Sequence, residues 1–87
     1  MEDVEDSLAS YQRDQRERER NAAAVAAESR AVDLADSRYR AGLDNFLTVL
    51  DAQRTLRDGE DRLTAAEARV ALSAITLYKA LGGEPTP

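Results

Sequence analysis

The side chains in this chain that could do acid–base work are carboxylates, seventeen Asp and Glu, and none stands beside a group that would put it to use. There is no His and no Cys. Their absence from the sequence removes the usual proton shuttle near neutrality, thiol chemistry and most zinc sites together. No glycine-rich phosphate loop accompanies the carboxylates, so the chain is read as non-enzymatic, with no catalytic, cofactor or metal residues. Charge is densest in Arg13-Asp14-Gln15-Arg16-Glu17-Arg18-Glu19-Arg20, four Arg against three acids. Asp14 with Arg18, and Arg13 with Glu17, fall at i,i+4 spacing, the pattern of a self-paired solvated helix face. The whole chain carries a net charge of −5, which opposes duplex phosphates and argues against nucleic acid as a partner.

The elements that carry these residues are set by where helix breakers fall. Both prolines, Pro85 and Pro87, lie at the end, and the glycines are Gly42, Gly59, Gly82 and Gly83. From Glu2 to Tyr39 nothing interrupts a helix, and from Asn45 to Leu81 only Gly59 does. Ala, Leu, Arg and Glu dominate and only four residues are aromatic, a composition suited to long helices rather than a mixed core. The expected fold is all-α: an antiparallel two-helix coiled-coil hairpin with a helix over 2–39, a turn over 40–44, a helix over 45–81 and a tail over 82–87. Each helix would be about 55 Å long, and a short loop between equal rods folds them back on each other. Gly42 suits a left-handed helix stop, Leu43 its accompanying apolar contact, and Asp44 or Asn45 the cap of the second helix. Arg38 and Arg40 sit where the dipole of the first helix favours cations.

The second helix carries large residues every seven positions, Val49, Leu56, Leu63, Val70 and Leu77. Small ones, Ala52, Gly59, Ala66, Ser73 and Ala80, follow each by three, which makes one seam for a close neighbour. On the first helix the expected seam is Val4, Leu8, Tyr11, Ala22, Val25, Ser29 and Val32, with Gln15 and Arg18 admitted to it. A second apolar set lies off both seams: Ala65, Ala68, Leu72 and Ile75, and Ala23, Ala24, Ala27, Ala31 and Leu34. One hairpin covers one stripe per helix, so the remainder calls for further helices. At 87 residues a lone globule would be marginal, which points the same way.

The stretch from Arg38 through Leu56, RYRAGLDNFLTVLDAQRTL, resembles the RYxxGxxxYLxxLDAQRxL signature of outer-membrane efflux proteins of the TolC/OprM type. Leu77 to Gly83 reads LYKALGG, similar to the close of that family's last long helix, and Glu2 to Ala9 resembles its EVEDALA opening. The likeness runs over essentially the whole chain. It departs from the family after Gly83, where Glu84 and Pro85 replace a further Gly and a Trp.

The resemblance implies the C-terminal periplasmic coiled-coil hairpin of a channel whose β-barrel strands, first-half hairpin and signal sequence are not in this chain. The expected piece is excised from a longer protein, with Met1 a start added for expression. The bend, with Tyr39, Arg40, Ala41, Gly42, Leu43, Asp44 and Phe46, would dock a membrane-fusion adaptor hairpin. Asp44 would also lie near the tube aperture. Full-length relatives form trimers, and membrane contact would run only through the missing barrel. As an isolated fragment the hairpin would pair into a dimer or higher bundle. The competing reading is a generic coiled-coil oligomerisation module.

Overall fold

The computed structural model describes residues 2–82, Glu2 by its backbone alone. Gly83 to Pro87, which end the LYKALGG stretch and hold most of the tail, lie outside the described residues. Among the described residues the chain is two helices, α1 over Glu2–Arg40 and α2 over Phe46–Ala80, folded back on each other. The rod measures 62 × 25 × 13 Å, one helix thick. The fold is the antiparallel hairpin that the spacing of breakers predicts.

Backbone chemistry closes the bend. Gly42 takes φ +76°, and the Leu43 and Gly42 amides donate back to the carbonyls of Arg38 and Tyr39 at 2.9 and 3.0 Å. This paired pattern satisfies carbonyls that a helix end leaves open, and it needs the left-handed residue that glycine supplies without a Cβ penalty. Leu43 is 66% exposed, so most of its side chain stays in solvent. Asn45, in extended conformation, caps α2 by accepting the Thr48 amide at 3.2 Å.

The seam of α2 follows its seven-residue repeat. Val49 and Ala66 are 2% and 0% exposed, Gly59 is buried, and Ala52, Leu56, Leu63, Val70, Ser73, Leu77 and Ala80 are half-buried. On α1 the seam is not the expected one. Val4, Tyr11, Arg18, Val25 and Val32 form one half-buried column, and Ser7, Asp14, Asn21 and Glu28, half-buried, form the other with the buried Ala35. Leu8 and Ser29 are exposed, while Gln15 and Ala22 are half-buried at the margin. The reason is what α2 presents. Its small column leaves room for polar side chains to cross: Asp14 accepts a hydrogen bond from the Ser73 hydroxyl, and the Glu28 carboxylate occupies the space over Gly59. Fourteen residues separate Asp14 from Glu28 and Ser73 from Gly59, so one register holds along the rod.

Candidate functional site

In a rod one helix thick the bend and both broad faces are open, and the bend and the face with a groove behind it gather the residues of interest. At the bend, Tyr39 and Phe46 flank the turn with ring centroids 5.3 Å apart, tilted by 55°. Both stay half-exposed, and with Leu43, Leu47 and Leu50 they make an apolar end to the rod. Arg40 is drawn back along α1 by Asp36, with 3.0 Å between Nε and the carboxylate. Ala41 and Gly42 are exposed, and nothing lies within 4 Å of where a Gly42 Cβ would stand. The structure therefore brings Tyr39, Ala41, Gly42, Leu43 and Phe46 together on one exposed tip. Asp44 is turned inward as a brace.

That brace is local and complete. The Asp44 carboxylate accepts from the Thr48 hydroxyl at 2.9 Å and the Asn45 amide at 3.0 Å, and meets Arg38 Nε at 3.5 Å. The Thr48 hydroxyl, then the Asn45 amide, hold the carboxyl below its ordinary 3.8, with Arg38 adding to them and slight desolvation working against them. Asp44 does not cap α2, a role that falls to Asn45; it ties the cap back to α1 instead. Sequence reasoning left Thr48 out of the site. The Asp-x-x-x-Thr spacing across a helix start was the signal that could have found it.

Behind the bend, Ala31, Leu34, Ala35 and Arg38 of α1, Asp44 of the bend, and Thr48, Asp51, Thr55 and Asp58 of α2 line an open groove of about 580 Å³. Asp51 pairs with Arg54 one turn along its own helix at 3.1 Å, both well exposed, rather than bridging to α1. The pairs expected within the Arg13–Arg20 run are replaced as well. Arg20 meets Glu17 at 3.3 Å and Arg13 touches Asp14 at 4.0 Å, because Asp14 is committed to Ser73 across the seam. Among the described residues no group of His, Cys, Asp and Glu could hold a metal ion, and no helix is long and apolar enough to cross a membrane.

Residues 1–83 match the family model for the outer membrane efflux protein. The chain belongs to that family. It is 40% identical over 81 residues to the pyoverdine export outer membrane protein OpmQ of Pseudomonas putida, which covers 93% of this chain and 17% of the relative. OpmQ of Pseudomonas aeruginosa is 48% identical over 54 residues, 62% of this chain and 11% of its own. The solvent efflux pump outer membrane protein SrpC of Pseudomonas putida is 48% identical over 50 residues, 58% and 11% of the two chains. No solved structure matches the chain at a significant level. The chain thus spans between about a tenth and a sixth of the length of the curated relatives it matches, and corresponds to a helical segment of an efflux protein of the Gram-negative envelope.

Proposed function

We propose that this hairpin is a stretch of the periplasmic helical tube of a TolC-like efflux channel, with its bend as the docking tip for a membrane-fusion adaptor. The observation that carries the reading is the tip itself. A rod 62 Å long ends in a rigid backbone bend that leaves Tyr39, Leu43, Phe46 and Leu47 in solvent. Exposed apolar groups clustered at one end of a rod mark a contact site. Family membership supplies the context, since the relatives are named for export of pyoverdine and efflux of solvents.

In this reading the full-length protein is a trimer that conducts drugs or other small molecules passively, while an inner-membrane pump supplies the energy. The adaptor's helical hairpin meets Tyr39 to Phe46, and the aperture opens as packed helices slide at the tip. The bend suits such a contact because its backbone bonds are satisfied internally, so docking need not order it first. A cysteine placed at Leu43 in the full-length protein is expected to crosslink to the adaptor's hairpin in cells. Crosslinks at mid-rod positions with none at Leu43 would overturn the docking assignment.

A further inference from the structure

We infer that the broad groove-side face of the hairpin is the seat for one helix from outside this chain, laid obliquely across both rods, cationic at its tip-proximal end and anionic at the other. The Glu28–Gly59 and Asp14–Ser73 pairs fix which residues lie level with each other. Leu34, Asp51 and Asp58 share the groove wall. Seven-residue steps from them stay on the same face of a coiled coil. On α1 that column runs Leu34, Ala27, Arg20, Arg13; on α2 it runs Asp51, Asp58, Ala65, Leu72, all of them exposed.

At every level one column is apolar and the other charged. Leu34 lies level with Asp51, Ala27 with Asp58, Arg20 with Ala65, and Arg13 with Leu72. The apolar track therefore starts on α1 near the bend and crosses to α2 farther back, where Leu72 is 64% exposed and Ile75 extends it. Crossing one interhelix spacing of about 9 Å over two heptads gives a tilt of about 20°, a common helix-packing angle. The charges beside the track are polarised. Asp44, Asp51 and Asp58 outnumber Arg38 and Arg54 in the groove half. Arg13, Arg20, Arg62 and Arg69 outnumber Asp14 and Glu17 in the other.

A second copy fits this face poorly. Two-fold pairing with the tips together sets Leu34 of one copy over Asp51 of the other; pairing with the tips opposed sets Leu34 and Ala27 over Arg13 and Arg20. Either buries charge against hydrocarbon without a partner for it. A single helix with a small apolar seam and opposite charge at its two ends does neither. This inference concerns the flank of the rod and stands whether or not the bend docks an adaptor.

The probe is a synthetic helical peptide of about 24 residues, enough for the roughly 32 Å from the Leu34 level to the Arg13 level. It carries an Ala/Leu seam, Lys in one half and Glu in the other. A control peptide has the same composition with charges interspersed. The matched peptide is expected to bind the full chain at least about fivefold more tightly than the control, a difference that shrinks with salt. A nitroxide on its Lys end should broaden the amide resonances of Thr48 to Asp58 rather than those of Ala65 to Ile75. Asp51→Arg with Asp58→Arg should abolish the preference without changing the helical content. Equal binding of the two peptides, no binding, or a Lys end seated near Leu72 overturns the inference. So does a dimer of the chain that Leu72→Glu converts to monomer, since the occupant would then be a second copy.

Discussion

The two helices share one interface, yet α2 brings to it alternating large and small apolar residues while α1 brings Asp14, Arg18, Asn21 and Glu28 among its valines. The difference shows that an antiparallel seam need not be apolar on both sides. Where α2 recedes to Gly59, Ala66 and Ser73, α1 sends in a polar side chain. One of these, Asp14, finds a hydroxyl on Ser73; another, Glu28, buries an oxygen that has no hydrogen-bond partner. So α2 supplies most of the hydrophobic driving force, and α1 supplies register at some cost in stability. A buried acceptor left unpaired costs about 1–3 kcal/mol.

This asymmetry can be broken by substitutions of very different expected size. Val49→Asp puts a charge at a 2% exposed site facing α1, and should cost at least about 3 kcal/mol in urea unfolding followed by circular dichroism. Ala66→Leu overfills the fully buried small column and should cost about 1–3 kcal/mol, whereas Asn21→Leu on α1, at a half-buried and roomier position, should change stability far less. Gly42→Ala forces a Cβ into left-handed backbone and should lose about 1 kcal/mol, although nothing crowds the site. Gly59→Ala should instead gain about 1 kcal/mol. The new methyl meets only the flexible end of Glu28, which swings out to water and satisfies its oxygen, while the helix gains propensity. Loss of stability in Gly59→Ala would show that Glu28 is held in its notch by contacts stronger than those seen.

The smallest effect is on pH. Asp44 keeps a carboxyl held below 3.8 in the folded bend, so its contribution is full above about 3.8 and is lost as pH falls through the lower folded value. An NMR titration should show the Thr48 amide shifting below pH 3.8, and Asp44→Asn should remove that inflection. A titration at or above 3.8 in the native chain would mean the Thr48 and Asn45 bonds are not formed in solution.

The α2 seam and the bend were legible because residue type follows position there: apolar at every seventh residue of the seam, glycine at the left-handed site of the bend. The α1 seam was not. Leu8 and Ser29 looked like seam positions by apolarity or size, but the true neighbours of Gly59 and Ser73 are carboxylates, which sequence periodicity counts as solvent-facing. Which partner each arginine chooses was hidden for the same reason, since Asp14 is already engaged across the hairpin. The tip residues could be named from the efflux-family signature, but that Asp44 braces through Thr48 while Asn45 caps depends on backbone geometry at a turn, where one residue of shift changes the role.

The register of the two rods is tested most directly by spin labels at Arg13 and Leu72, exposed neighbours of the Asp14–Ser73 contact, measured by pulsed electron–electron distance spectroscopy. A closed hairpin in this register gives a single distribution below about 25 Å, one interhelix spacing plus two label arms. Fifty-nine residues of unbroken helix would place the same labels roughly 90 Å apart, and a long or bimodal distribution would contradict the fold on which the tip and the face both rest.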